Sequence, residues 1–246
     1  MKKFEPKLTK PIEGQPPSSE IRARLKAENR PVCVAFSGGK DALAATLALM
    51  DDGIDVRPVH LYLIPGKEPM QALGFVEDTM NRLEDELGVE IRRYPHPSFY
   101  RWLNGFAFQP LDRIPFIQEV GFKTIKYPEL WKMIFEDLEL DEDTWLADGV
   151  RASDSLVRRA SIKRHGAMKP ANHKVSPIYD WLQASTYDLI EAHGIELPID
   201  YELFGRSFDG LDYRFIKPIK DNLPEDYEQI KAWFPLIDLE VLRYGV

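Results

Sequence analysis

The chain reads as an α/β protein built on a parallel sheet, and two observations predict it. Through residues 32–94, β-rich apolar runs alternate with segments of helical periodicity in the order strand, helix, strand, helix, strand. In CVAFSGGKDALAATLALM, from Cys33 to Met50, a buried run stops on a serine and two glycines before an alanine- and leucine-rich helix begins. Such spacing suits parallel neighbours joined by right-handed crossovers.

Each element follows from its local pattern. Residues 1–18 carry four prolines and almost no apolar periodicity, which predicts an extended N-terminal arm, with 19–246 as a single domain. SSEIRARLKAENR predicts a short helix with Ser18 or Ser19 as N-cap, ended by Pro31. VCVAF (32–36) is a strand and 41–52 the helix after the SGG turn. VRPVHLYLI (56–64) is a second strand, 70–87 has helical spacing, and EIRRY (90–94) is a third strand. Residues 95–144 are aromatic-rich and mostly helical in pattern. They end in EDLELDED, which reads as a solvated helix end or loop. TWLADGV (144–150) returns to strand character. The segment 151–174 then has seven Lys or Arg against one Asp. SPIYDWLQASTYDLIEAHGIELP reads as a turn, a helix over 185–193 and a stop, and from Tyr201 a glycine-containing loop leads into two short helices.

Composition narrows the function classes. With 246 residues, the chain can bury a sizeable core. No apolar run approaches the ~20 residues that span a bilayer, and MKKFEPKLTKP lacks the apolar core of a signal peptide. The expectation is a cytoplasmic protein with no membrane contact. The net charge of −8 argues against a globally basic, nucleic-acid-coating surface, which leaves the local basic segment 151–174 as the candidate contact for nucleic acid. Cys33 is the single cysteine, so neither an intrachain disulfide nor a cysteine-ligated zinc or iron-sulfur centre can form.

The SGGKD turn carries the chemistry. A glycine-rich turn between a strand and a helix N-terminus gathers backbone N–H groups in one concavity where the helix dipole favours an anion. Ser37 adds a hydroxyl and Lys40 a charge, while Asp41 either caps the helix or holds a divalent cation that bridges phosphates. SGG alone fits a plain capped βα turn equally well, and the Lys-Asp pair in a βαβ context tips the reading to phosphate. Neither GxxxxGK[ST] nor GxGxxG is present. His165 and His173 lack metal-ligand spacing.

SGGKD resembles the pyrophosphate loop, SGGxDS, of the N-type ATP pyrophosphatases (PP-loop enzymes), with Ala42 where the last serine is usual. Gly149, Arg151 and Arg158 in GVRASDSLVR form G-x-R-x6-R, which is similar to the matching segment of phosphoadenosine phosphosulfate (PAPS) reductases and of the sulfate adenylyltransferase catalytic subunit. SPIYDWLQASTYDLIEAHGIELP looks like those families' proline-started strand, Asp-Trp and helix before a second proline. By these three ordered segments the chain is identified as a member of the PAPS reductase-like branch, of the stand-alone type found in phage and mobile elements.

That resemblance implies a Rossmann-like sheet flanked by helices, of the adenine nucleotide alpha hydrolase type, with a helical C-terminal extension. It implies ATP or PAPS as the nucleotide, with Mg2+. Ser37, Gly38, Gly39, Lys40 and Gly149 would bind the nucleotide, with His60, Leu61 and Tyr62 bordering the adenosine mostly through backbone groups. Lys40, Asp41, Arg151 and Arg158 would be the reaction residues, with Asp41 and Asp148 as metal candidates. The aromatics of YPHPSFYRW (94–102) could wall a pocket, although core is the commoner use. PAPS reductases use a cysteine near the C-terminus and LEVLRYGV has none, so the implied chemistry needs no thiol: ATP is cleaved between its α- and β-phosphates, an acceptor is adenylated and pyrophosphate leaves. The alternatives are a reductase using an external thiol, and a regulatory nucleotide-binding module working with a ParB-like partner. A homodimer is compatible with all three.

Overall fold

The computed structural model describes residues 4–68 and 71–244. Residues 1–3 of the predicted arm, Met70 at the predicted start of a helix, and Gly245 and Val246 at the end of LEVLRYGV lie outside them. The strands are β1 (Val32–Ala35), β2 (Val56–Tyr62), β3 (Arg92–Pro95), β4 (Trp145–Ala147), β5 (Met168–Lys169) and β6 (Lys174–Val175). They form one six-stranded sheet in the order β3-β2-β1-β4-β6-β5. β1 runs parallel to β2 (Val32 opposite Val56) and to β4 (Val32 opposite Trp145), β4 runs parallel to β6, and the short β5 runs antiparallel to β6. The α/β class expected from the alternating pattern is therefore the class observed.

The helices are α1 (Ser18–Glu28), α2 (Lys40–Asp51), α3 (Gly74–Leu87), α4 (Pro97–Asn104), α5 (Ile114–Val120) and α6 (Tyr127–Asp137), followed by α7 (Leu156–His165) and α8 (Gln183–Ala192), and then α9 (Ile199–Phe204), α10 (Tyr213–Asn222), α11 (Pro224–Trp233) and α12 (Asp238–Tyr244). Two compact units result. One comprises residues 1–60, 84–92 and 135–197, and the other 61–83, 93–134 and 198–246.

In the first unit the core is a cluster of β1, β4 and β6 residues (Val32, Val34, Trp145, Ala147, Val175) with Ile21 and Leu25 of α1 and Leu49 of α2. α2 is apolar on every side, with Ala42 to Leu49 all buried, as a helix covered by both sheet and helix must be. Its outer side packs on α8, whose buried Ser185 and Thr186 are small enough to admit it. α1 starts at Ser18 with Pro17 in the N-cap position, so neither Ser18 nor Ser19 caps it. The Ser18 amide donates instead to Asp180 Oδ2 at 3.0 Å, a long-range partner that no local pattern reveals. Arg22, buried on α1, donates to Asp52 Oδ2 (2.7 Å) and to the Pro177 carbonyl (2.8 Å), tying helix, helix end and turn together. The proline-started strand that the resemblance implies at Pro177 is not there. β6 ends at Val175 and 177–180 form the turn that the residue pattern predicts there, since Pro177 cannot donate to a ladder. Residues 4–17 hold no helix. Leu8 bridges Trp181, and the Thr9 amide donates to the Asp180 carbonyl at 2.7 Å.

The second unit is helical and aromatic. Phe75, Phe204, Phe208 and Phe215 pack edge-on or tilted with centroids 5.1–6.3 Å apart. Phe99 of α4 meets Trp233 at 4.9 Å and 88° and is buried, so this ring of YPHPSFYRW is core, the commoner use of aromatics. The chain after Tyr201 forms more helix than the two predicted: α10, α11 and α12 follow α9. The extra turns were hidden by Pro218 inside α10 and by prolines that start elements, as Pro224 does at the head of α11.

Candidate functional site

The site grows from the end of β1. The Phe36 amide still donates to the Val59 carbonyl (2.8 Å), and then the chain turns. Gly38 sits at φ +75°, a left-handed conformation that glycine adopts without penalty. The Gly39 amide donates to Ser37 Oγ at 3.3 Å, so the serine braces the turn. Gly39 is the N-cap of α2, and no side chain caps it. Lys40 and Asp41 open the helix, and Asp41 matches the positive end of its dipole.

A second loop, after β4, closes on this turn. A Cβ built on Gly149 would lie 2.5 Å from the Asp41 carbonyl carbon and 2.7 Å from the Ala42 nitrogen. Gly149 is therefore required because two backbones touch there, a packing role distinct from the nucleotide contact expected of it. Asp148 Oδ1 accepts from Ser176 Oγ (2.7 Å) and from the Val150 amide (3.1 Å), which shapes the loop.

Arg151 is the buried centre of the cluster, with its side chain 2% exposed. Its Nε donates to Asp41 Oδ1 at 2.9 Å, its Nη2 pairs with Asp154 Oδ1 at 2.6 Å and its Nη1 donates to Ser153 Oγ at 3.1 Å. Asp41 Oδ2 also pairs with Lys40 Nζ at 2.9 Å. Asp154 in turn holds Arg158, whose side chain is half exposed. Lys40, Asp41, Arg151 and Arg158 thus share one ion-pair network, with cations and carboxylates alternating through it. A buried guanidinium held by two carboxylates and a hydroxyl is rigid, so Arg151 fixes the β4 loop against the start of α2.

The residues expected from the second strand divide between the two units. His60 belongs to the first and is buried, its Nδ1–H donating to the Phe36 carbonyl at 2.9 Å. It fastens the last residue before the serine, through a side chain rather than the backbone contact expected. Leu61 and Tyr62 belong to the second unit. There the Tyr62 carbonyl accepts from the His96 amide at 2.9 Å, and burial pushes the phenol up to about 12, helped by Tyr100 and Glu77.

Asp154, Ser153 and Ser176 are the site-building residues that pattern reading missed. One signal was available, since Asp154 is the single acid among the seven cations of 151–174. Among the described residues no group of three or more His, Cys, Asp or Glu is placed to hold a metal. Both oxygens of Asp41 are on cations, Oδ2 on Lys40 Nζ and Oδ1 on Arg151 Nε. Cys33 is completely buried on β1, and burial pushes its thiol up to about 12. No helix among the described residues is long and apolar enough to cross a membrane.

No family model and no curated protein matches the chain. Among solved structures, the U34-tRNA thiolase NcsA of Methanococcus maripaludis with its [4Fe-4S] cluster is 15% identical over 90% of this chain and 78% of that one, with a TM-score of 0.41. A predicted subunit of tRNA methyltransferase from Methanocaldococcus jannaschii is 20% identical over 66% and 74% (TM-score 0.34). NAD+ synthetase of Burkholderia pseudomallei is 13% identical over 89% and 87% (TM-score 0.32). At these identities and TM-scores, none of the likenesses bears on what the chain does.

Proposed function

We propose that the chain is a PP-loop enzyme that binds ATP at the SGGKD turn, transfers AMP to an acceptor and releases pyrophosphate. The observation that carries this reading is the uncapped N-terminus of α2, reached through a left-handed Gly38 and flanked by Lys40, with the buried Arg151 fixed beside it. Amides there, with Lys40, would hold the β- and γ-phosphates as the leaving group. A nucleophilic oxygen or nitrogen of the acceptor forms the new bond to the α-phosphorus. The α–β bridging P–O bond breaks, and its electron pair departs with pyrophosphate. Arg151 and Arg158 would orient the acceptor or spread charge on the transferred phosphoryl. Mg2+ bound with the nucleotide would supply charge neutralisation, held on the protein side by Asp41 or Asp148.

For phosphate to use Lys40 fully, the Lys40–Asp41 pair must open. An incoming divalent ion would compensate that carboxylate, so binding to this turn should be stronger with Mg2+ present. Release of pyrophosphate from ATP, screened over candidate carboxylate, amine and sulfate acceptors, tests the reaction. Product that also forms from the Lys40→Ala variant would exclude this turn as its source. A competition arm with PAPS covers the sulfonucleotide reading, in which the reductant must be an external thiol because Cys33 is buried.

One observation favours a second reading. Ala42, where the resembled loop has serine, is buried at 5% exposure and provides no hydroxyl. A module that binds nucleotide and passes the signal to a protein partner, a ParB-like one included, would show ATP binding without pyrophosphate release under any acceptor.

A further inference from the structure

A solvent-open groove of about 380 Å3 lies in the first unit against α7, outside the SGGKD cluster. Its apolar lining comes from Pro11, Ile12, Leu156 and Ala160, Arg159 and Lys163 bring two positive charges to it, and Glu13 brings one negative charge. The volume falls within the range of small-molecule sites, and an apolar wall with a few convergent polar groups is their usual make-up.

The charges are poorly compensated. Arg159 Nη2 donates to the carbonyls of Lys10 (3.2 Å) and Pro11 (3.4 Å), and no carboxylate pairs with this guanidinium among the described residues. Two backbone carbonyls fix its direction but leave its full charge to be answered. Lys163 has Glu13 at 3.9 Å, both side chains well exposed, an arrangement worth little in water. α7 itself is weakly anchored by apolar contact, since Ile162 is its one buried residue, and Leu156 is 86% exposed. A leucine left in water beside a directed guanidinium is unfavourable on its own and favourable once an apolar body with an anionic end covers both.

We propose that this groove is a second binding site, for an amphipathic anion: an apolar body ending in a carboxylate or phosphate that Arg159 and Lys163 engage. The site is independent of the nucleotide reading, because it shares none of Ser37, Gly38, Gly39, Lys40 or Arg151.

The test is a fluorescence titration of the full chain with 1-anilinonaphthalene-8-sulfonate, an aromatic body carrying one anion, with hexanoate, phenyl phosphate and phenol as competitors. Saturable binding of one equivalent is expected, weakened about tenfold in Arg159→Gln and in Lys163→Gln, each of which removes one charge-assisted contact. Hexanoate or phenyl phosphate should displace the probe and phenol should not, and the better of the two anions identifies the headgroup. Lys163 is exposed, so Lys163→Gln keeps the test valid if Arg159→Gln fails to fold. Unchanged affinity in Lys163→Gln, displacement by phenol as readily as by the anions, or no saturable binding would each overturn the proposal. In Lys40→Ala the probe should bind as in the parent chain, and a loss there would reassign the probe to the SGGKD turn and overturn it as well.

Discussion

Gly149→Ala isolates the contact that brings the two loops together. The added methyl carbon would stand 2.5 Å from the Asp41 carbonyl carbon, 2.7 Å from its oxygen and 2.7 Å from the Ala42 nitrogen. Carbon atoms rest near 3.5–4.0 Å, so the closest overlap is about 1 Å, and all three atoms are backbone of a helix buried from Ala42 to Leu49. Nothing flexible can yield, which places the cost near the upper part of the ~1–3 kcal/mol of an overpacked core. An added ~2–3 kcal/mol corresponds to a melting point lower by about 4–12 °C in a chain of this size. Gly194→Ala is the control, because at Gly194 (φ +68°) an added methyl would meet no atom within 4 Å and should cost only the left-handed backbone penalty, roughly 1 kcal/mol. Scanning calorimetry of the two variants decides the matter. A Gly149→Ala chain as stable as Gly194→Ala would refute the close approach, and with it the joining of the β4 loop to α2.

Arg151→Ala should cost about 2–4 kcal/mol in denaturant unfolding, because it leaves Asp154 and Asp41 short of a buried cation, and Arg151→Lys should recover part of it; a change within 0.5 kcal/mol, roughly the range of a surface substitution, would contradict the buried network. His96 accepts from the Ser98 amide (3.0 Å) and meets the Tyr127 hydroxyl at 2.7 Å, and burial, with Arg101, pushes its pKa down to about 4. The unfolded ring takes up its proton near pH 6.5 and the folded ring does not, so this contribution is complete above about 6.5 and is lost as pH falls from there to about 4. Allowing for partial solvent access, the loss is about 2 kcal/mol. In His96→Asn, which keeps the cap, the pH dependence of unfolding should flatten by that amount, and an unchanged slope would count against the assignment. Cys33 should react with a maleimide at least about a hundredfold more slowly in the folded chain than in urea, and equal rates would place its thiol in solvent.

Local periodicity carried most of the sheet. VCVAF, VRPVHLYLI and TWLADGV all contain strands, and the helix after SGGKD begins within a residue of its expected start. Those segments are decided by burial on the sheet, which leaves its mark in consecutive apolar residues. What stayed hidden depends on partners far along the chain. Asp180 caps α1 from the other end of the first unit, so Ser18 looked like the cap. The turn at Pro177 was legible, but the long-range bond that its carbonyl accepts from Arg22 was not. Among the site residues, Lys40, Asp41, Arg151 and Arg158 were named from the motifs that carry the family resemblance and are joined in one ion-pair network. Asp154, which holds both arginines, was masked by the basic residues around it. His60 was chosen for its place on the strand and takes part through its ring, a role that depends on where the Phe36 carbonyl points.

The functional reading stands or falls with the SGGKD turn as a polyphosphate cradle. Calorimetric titration of the full chain with ATP, with and without Mg2+, against the Lys40→Ala variant probes that cradle without needing the acceptor. Saturable binding of one ATP is expected, stronger with Mg2+, and weakened at least about tenfold in Lys40→Ala, the loss of one charge-assisted contact to phosphate. Absence of ATP binding in the parent chain, or equal affinity in Lys40→Ala, would show that the turn is no such cradle.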